Sequence, residues 1–144
     1  MKVLKIKKLD KDAIIPTYGT KDSAGADLYA LLDTEVKIKP RETVIISTGL
    51  AMSIPEGYVG LIYARSSLGT KKGLAPANKV GVIDSDYRGE VKVVLFNHSN
   101  EEQTISPNER IAQIVITPCI QVKFKETEEL DDTDRGQGGF GSTN

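Results

Sequence analysis

Apolar residues occur along this chain in short stretches rich in β-branched side chains, and Gly, Pro, Asn or Asp residues separate these stretches. This pattern is typical of strands joined by turns, whereas the 3.6-residue periodicity of an amphipathic helix is nearly absent. Only the segment 66–72 is compatible with a short helix. The pattern predicts strands over residues 3–9, 35–38, 43–54, 58–64, 80–83, 90–97, 110–117 and 121–127.

Turn-forming sequences fall between several of these predicted strands. Residues 39–42 (KPRE), 54–57 (IPEG) and 106–109 (SPNE) each place Pro at the second position of a turn, where its fixed φ is favourable. Strands at this spacing, with no helices between them, are typical of sandwiches, jelly rolls and barrels. We therefore predict an all-β protein, a jelly-roll β-barrel or sandwich with at most one short helix.

The character of the chain changes after residue 126. An acidic run over 126–134 leads into RGQGGFGSTN at 135–144, which contains four glycines and little that could be buried. A segment of this composition stays flexible until a ligand or a neighbouring subunit orders it. The sequence therefore predicts a β-barrel domain over 1–126 and a flexible Gly-rich C-terminal arm over 127–144.

Composition narrows the possible classes of protein. The chain has 144 residues, enough for one domain, but only 39% are hydrophobic, 6% are aromatic and none is Trp. The core must therefore be built from Val, Ile and Leu, and so lean a core favours burial of apolar surface between subunits. The net charge of -1 excludes a generally cationic nucleic-acid binder. Because there is no apolar signal segment or membrane-length apolar run, we expect a cytoplasmic protein without a membrane partner.

Cysteine and histidine each occur once, as Cys119 and His98. A single cysteine excludes an intrachain disulfide and a cysteine-based zinc site. A histidine-dependent nucleophilic triad would have to use His98, which lies in the polar stretch 97–100 and is expected at a loop or strand end.

The segment 84–89 (DSDYRG) has the composition of a ligand site. It matches the front of a calcium-binding loop, but the twelfth position, which requires Glu, is Leu95, so an EF-hand is excluded. Two interpretations remain. The segment is either a polar hairpin turn between 81–83 and 90–93, or a site where Tyr87 faces a sugar or base and Asp84 orients a water as general base.

The C-terminal arm matches G-x-G-x-x-G at Gly136, Gly138 and Gly141. That pattern indicates a dinucleotide site only between a strand and a helix, which is not the context here. Glycine backbone can nevertheless close on an anion, while Phe140 is suited to stacking on a base and Arg135 to binding a phosphate. The alternative is a mobile terminus without a ligand.

Three further segments give weaker signals. Residues 64–69 (ARSSLG) could cradle a phosphate at a helix start, or could be a Ser helix cap beside a surface Arg. In 23–28 (SAGADL), Asp27 could serve a hydrated magnesium ion or be a turn residue. Residues 108–113 (NERIAQ) indicate only a turn followed by a strand.

Taken in order, these segments resemble the five motifs of the trimeric dUTPase family. The matching residues are 24–28 (AGADL), 65–69 (RSSLG), 78–89 (NKVGVIDSDYRG), 109–113 (ERIAQ) and 135–143 (RGQGGFGST), and the third and fifth are the most specific. The resemblance implies a jelly-roll homotrimer with three active sites, each built from all three chains. It also implies Mg²⁺-assisted hydrolysis of dUTP to dUMP and pyrophosphate, which keeps uracil out of DNA and supplies dUMP for dTMP synthesis.

The resemblance implies a role for each nucleoside-binding residue. Asp84 would bind the 3′-hydroxyl and orient the water that attacks the α-phosphorus. Tyr87 would pack under the deoxyribose and reject a ribose 2′-hydroxyl. The uracil edge would be recognised in a hairpin too tight for a 5-methyl group, by Asn78, Gly81, Val82 and Ile83. Independently of the resemblance, Lys92 lies on the strand that leaves the third motif and is a further candidate to face the site.

The resemblance also implies how the triphosphate is held. Asp27 would contact magnesium through water. From a third chain, the arm would close over the site, with Phe140 stacked on uracil and its neighbours on the phosphates. The phosphate-binding residues would be Arg65, Ser66, Ser67, Gly69 and Gln113 of the barrel, with Arg135, Gly141 and Ser142 of the arm.

The second motif departs from the family pattern. Ala64 stands where Pro is usual and Ser67 where Gly is usual, so Ser67 adds bulk where backbone meets phosphate. Asn144 replaces the final Gly of the fifth motif, a position where positive φ is tolerated. Two other functions are alternatives: a dCTP deaminase, or bifunctional deaminase–diphosphatase, of the same fold, and a nucleotide-sensing regulatory module.

Overall fold

The computed structural model describes residues 3–141, and most regular structure within them is antiparallel strand. The single helix of this region, α1, spans Ser66–Lys72, as predicted. Each predicted strand has a counterpart except 121–127. The strands are β1 Lys5–Lys8, β2 Thr17–Tyr18, β3 Ala26–Tyr29, β4 Val36–Ile38, β5 Thr43–Ser53, β6 Tyr58–Tyr63, β7 Leu74–Pro76, β8 Gly81–Ile83, β9 Glu90–Asn97, β10 Gln103–Ile105 and β11 Arg110–Pro118.

The strands form two larger sheets and one small one. The four-stranded sheet has the order β1-β5-β9-β7, and the five-stranded sheet has the order β2-β3-β11-β6-β8. Strands β10 and β4 make a separate antiparallel pair. Because consecutive strands repeatedly change sheets, the connections between them cross from one sheet to the other. Several of the candidate functional residues lie in these connections.

The core is aliphatic, as the composition predicts. Alternate residues of β9 are fully buried, and the opposing positions of β5 are buried with them, as in Ile46 opposite Val93. No Phe or Tyr is among the buried core residues of the described chain. Instead, Ala and Met fill the space that larger side chains leave. The largest apolar residues that are fully buried are Leu28, Ile38, Ile46, Leu50, Leu74, Leu95, Ile105, Ile111, Val91 and Val93.

The strand predicted over 121–127 is absent, and this prediction was wrong. The chain leaves β11 after Pro118, and the Cys119 amide donates to the Gly57 carbonyl at 2.9 Å. Beyond that bond the segment is exposed, and Phe124 has 91% of its surface accessible. Alternation of apolar and charged residues is only half of what a strand needs. A strand must also pair with a neighbour, and residues 121–127 pair with none of the described strands.

No helix in the described part of the chain is long and apolar enough to cross a membrane.

Candidate active site

Residues 84–89 connect the two large sheets. β8 pairs with β6 in the five-stranded sheet, whereas β9 pairs with β5 and β7 in the four-stranded sheet. The interpretation of 84–89 as a simple hairpin turn is therefore wrong, because β8 and β9 do not pair with each other. β7 and β8 also belong to different sheets, so the residues around Asn78 lie in a second connection between the sheets.

Local hydrogen bonds define the conformation of this connection. The Tyr87 amide donates to the Asp84 carbonyl at 3.2 Å, and the Arg88 guanidinium donates to the carbonyls of Ser85 at 2.7 Å and Tyr87 at 3.0 Å. Asp84 is exposed and lines a cleft of about 890 Å³ together with residues 53–59 and 119–121. The turn therefore presents a carboxylate to solvent from a braced backbone.

Tyr87 is held at both ends of its side chain. Its backbone is fixed by the turn, and its hydroxyl donates to the Glu90 carbonyl at 3.0 Å, where β9 begins. The side chain is still 43% exposed. Part of the surface of this fixed aromatic ring is therefore open to solvent, in the same turn as Asp84.

A second group of polar residues surrounds the carboxylate of Asp27 on β3. Arg65 Nε donates to Asp27 Oδ1 at 2.7 Å, and Arg110 Nη1 donates to Asp27 Oδ2 at 3.3 Å. These three residues line a pocket of about 290 Å³ with Ser66, Gln113 and the loop residues Gly19 and 23–25. One carboxylate against two guanidinium groups leaves one positive charge, which suits an anionic ligand.

The start of α1 places Arg65. Arg65 occupies the N-cap position with extended backbone. Its guanidinium has only donors, so it does not cap the helix and instead reaches the Asp27 carboxylate. Arg65 Nη1 also donates to Ser67 Oγ at 3.2 Å. The unusual Ser67 therefore orients the arginine. The exposed Ser66 and the Gly69 of the same helix were the other predicted residues of this motif.

Gln113 lies against Gly25 in the same pocket. Its Nε2 donates to the Ala64 carbonyl at 2.8 Å. A Cβ on Gly25 would collide with Gln113 Oε1 and lie 3.0 Å from Cδ, so only glycine leaves room for this amide. Gly25 of the first motif is thus explained by the Gln113 side chain of the fourth.

Arg110 is a functional candidate that the sequence did not reveal. In a regular strand, residues three apart point to opposite faces, so Arg110 and Gln113 would be separated. The pairing of β11 with β3 shifts register between Arg110 and Ala112, and both Ile111 and Ala112 are fully buried. This β-bulge turns Arg110 to the side of Gln113. No residue pattern signals the bulge; two consecutive small or apolar positions are its only trace.

The residues expected at the uracil edge lie around β8. The Asn78 amide nitrogen is 3.5 Å from where a Cβ on Gly81 would be, and Val82 is exposed, with Ile83 half-buried beside it. Lys92 lies on the exposed side of β9, and its Nζ is 3.5 Å from the Glu90 carboxylate. The structure thus brings Asn78 to Gly81, whereas the contact described for Lys92 is with its neighbouring glutamate.

The arm residues remain apart from the barrel within this chain. Arg135 Nε donates to the Gly138 carbonyl at 2.7 Å, and the hydrogen bonds described for residues 127–141 join only residues of this segment. Phe140 is fully exposed, with φ of 50°, and Gly141 follows with φ of 87°. The predicted Ser142 lies outside the described residues.

The described residues contain no group of three or more His, Cys, Asp or Glu side chains that could hold a metal ion. Both oxygens of Asp27 already accept from guanidinium groups. Carboxylate oxygens have further lone pairs, so a water-mediated contact is still chemically available to Asp27. This arrangement fits a Mg²⁺ ion that arrives with a polyphosphate and keeps most of its waters.

Fold and site together define a small antiparallel β protein with an arginine-lined pocket for an anion and a separate acidic turn beside an exposed tyrosine. The model of the dUTPase family matches residues 11–144. The chain is 56% identical to the deoxyuridine 5'-triphosphate nucleotidohydrolase of Nautilia profundicola over 140 residues, covering 97% of each protein. It is 50% identical to the enzyme of the same name from Neisseria meningitidis serogroup A, covering 99% of this chain and 94% of the relative.

Solved structures agree with these relatives. The Staphylococcus bacteriophage 80alpha dUTPase with dUPNHPP superimposes with a TM-score of 0.90 at 31% identity, covering 100% of this chain and 99% of that chain. A mutant dUTPase from phage phi11 of S. aureus, described as coordinating a structural Mg(II) ion, superimposes with a TM-score of 0.79 at 28% identity, covering 89% and 98%. The chain therefore belongs to the dUTPase family, is a dUTP diphosphatase, and has the predicted jelly-roll fold.

Proposed function

We propose that this chain cleaves dUTP between the α- and β-phosphates, using a water molecule that Asp84 activates as general base. The observation that carries the proposal is the pocket in which Asp27 holds Arg65 and Arg110 together. Two guanidinium groups positioned before the substrate arrives can stabilise charge on a triphosphate without reorganising during the reaction. An exposed carboxylate on the braced turn supplies the base.

The phosphate half of the proposed site uses residues from three elements. Arg65 and Arg110 neutralise phosphate oxygens, and Gln113 donates a hydrogen bond from β11. Ser66 and Ser67 offer hydroxyl groups from α1, whereas the Gly69 amide already donates to the Arg65 carbonyl at 3.0 Å, so Gly69 supplies space and no donor. Mg²⁺, when bound to the triphosphate, withdraws electron density from phosphorus and neutralises the leaving pyrophosphate. Asp27 contributes by holding the two arginines and would contact the bound ion through water.

The nucleoside half of the proposed site lies at the crossing between the sheets. The exposed face of Tyr87 packs under deoxyribose, and Asp84 accepts the proton of the attacking water. Asn78 and the backbone of Gly81, Val82 and Ile83 recognise the uracil edge. Lys92 remains the weakest member of this group, because its ammonium is paired with Glu90.

The phosphate half and the nucleoside half of the proposed site are separate within one chain, and this separation supports a homotrimer with shared sites. Asp84 lines one cavity of the chain, whereas Asp27, Arg65 and Arg110 line another. We propose that neighbouring subunits bring one chain's turn to another's pocket. The arm 127–144 would then come from a third subunit, with Phe140 stacking on uracil and Arg135, Gly141 and Ser142 closing over the phosphates. This activity would keep uracil out of DNA and supply dUMP.

Product analysis tests the reaction. The protein is incubated with Mg²⁺ and, separately, with dUTP, dCTP, dTTP or UTP. We expect dUMP and pyrophosphate from dUTP and little product from the other three. Release of ammonia from dCTP would support the deaminase alternative instead. No product from any of the four nucleotides would support a regulatory module that binds without turnover.

Asp84→Asn tests the general base. The substitution keeps the side chain's shape, so we expect dUTP to bind while kcat falls about 10²- to 10⁴-fold, the usual contribution of a positioned base. Asp86→Asn is the matched control, since it removes the same charge two residues away in the same turn. Rates near wild type for Asp84→Asn would remove Asp84 from this role, and equal losses in both variants would indicate a general effect of charge.

A further inference from the structure

The ring of Tyr87 lies directly against the backbone of Gly89. A Cβ built on Gly89 would collide with Tyr87 Oη and would lie 2.6 Å from Cζ and 2.9 Å from Cε2. Real Cβ atoms do not approach other atoms this closely. The ring therefore occupies the space that any side chain at position 89 would need.

Backbone conformation does not explain this glycine. The described chain contains five glycines with positive φ, such as Gly49 and Gly57, and Gly89 is not among them. An alanine could adopt the backbone of Gly89 without strain from φ. The absence of a side chain is consequently required by the tyrosine ring and not by the turn itself.

We propose that Gly89 is a positioning residue that sets the sugar selectivity of the site by determining where the Tyr87 ring lies. The proposal rests on the proposed function, in which this ring packs under the sugar. Tyr87 has only two side-chain torsions, and its hydroxyl is anchored to the Glu90 carbonyl. A methyl group on Gly89 displaces the ring toward solvent, lengthens or breaks that hydrogen bond, and opens the space that excludes a 2′-hydroxyl.

Gly89→Ala tests the proposal through the ratio of kcat/KM for dUTP to that for UTP. We expect this ratio to fall roughly tenfold or more, the combined effect of an off-rotamer ring and a lost hydrogen bond. KM for dUTP should rise more than kcat falls, because the displaced ring contacts sugar and not the reacting phosphorus. Ser85→Ala, in the same turn but away from the ring contact, should keep the wild-type ratio.

Measurements in the Tyr87→Ala variant separate a positioning role of Gly89 from a structural role. With Tyr87→Ala the ring is absent, so adding Gly89→Ala should leave the dUTP-to-UTP ratio unchanged. A further drop in that background, or an unchanged ratio in Gly89→Ala alone, would overturn the proposal. Failure of Gly89→Ala to fold would also overturn it, because a ring that is 43% exposed can move into solvent.

Binding measurements distinguish this proposal from the proposed function. Dissociation constants for dUMP and UMP, measured by calorimetry, report sugar discrimination without hydrolysis. Loss of discrimination in Gly89→Ala supports the ring-positioning role even if the wild-type protein fails to hydrolyse dUTP. Wild-type discrimination retained in Gly89→Ala contradicts it even if dUTP hydrolysis is confirmed.

Discussion

Asp27→Asn should destabilise the fold and disperse the arginines of the phosphate pocket. The Asp27 side chain is 11% exposed and lies between the guanidinium groups of Arg65 and Arg110. The substitution keeps the size of the side chain but removes its charge. Two cations then face each other across a partly desolvated pocket with only one amide oxygen to share.

The magnitude follows from the two contacts. Arg65 is 20% exposed and donates at 2.7 Å, so its charge-assisted hydrogen bond contributes about 1.5–3 kcal/mol. Arg110 is 51% exposed at 3.3 Å, and an ion pair this accessible contributes about 0–1 kcal/mol. Together they predict a loss of about 1.5–4 kcal/mol, which for a chain of this size lowers Tm by roughly 5–13 °C.

Differential scanning calorimetry at a fixed protein concentration measures this loss, since Tm of an oligomer depends on concentration. Asp22→Asn is the matched control, because Asp22 is exposed and has no described ion pair. Arg65→Gln and the double variant Arg65→Gln/Asp27→Asn complete a cycle in which the losses should be less than additive. A Tm for Asp27→Asn within about 1 °C of the Asp22→Asn value would refute the reasoning.

Two further predictions concern the backbone and the arm. Gly49 and Gly57 both have positive φ, but a Cβ on Gly49 would lie 2.6 Å from Leu31 and 2.9 Å from Ala13, whereas Gly57 faces open space. Gly49→Ala should therefore lower the free energy of unfolding by about 1–3 kcal/mol more than Gly57→Ala in denaturant titrations, and equal losses would contradict the overpacking argument. Removal of residues 127–144 should leave the barrel folded but lower kcat/KM for dUTP by roughly 10²-fold in steady-state assays; unchanged kinetics would exclude closure by the arm.

The long strands and the helix were predictable from sequence because their signals are local. β5 and β9 are long, β-branched and bounded by turn residues. The helix α1 ends at Lys72 and is followed by Gly73, whose left-handed conformation, with φ of 62°, favours glycine after a helix. The ends of such elements can therefore be predicted from the residues within and next to them.

The strands that were missed lack such signals. β3 buries Ala26, Asp27 and Leu28 in succession, so alternation is absent where a central strand is covered on both sides. β2 has two residues, and β7 and β10 have three, with Pro76 at the end of β7. So short a strand exists only because a neighbour pairs with it, and pairing over long sequence distances leaves no local pattern.

In the candidate site, too, the sequence predicted which residues take part but not where their side chains lie. Its motif residues were named from sequence, but their geometry depends on irregular backbone: the bulge at Ile111, the extended cap at Arg65 and the crossing that carries Asp84. Arg110 demonstrates the consequence, since it lies within a recognised motif yet had no predicted role. Because side-chain direction in a strand is fixed by counting residues, one inserted residue reverses every assignment beyond it. Motifs therefore predicted the residue types of the candidate site, and the bulge places Arg110 in the same pocket as Arg65.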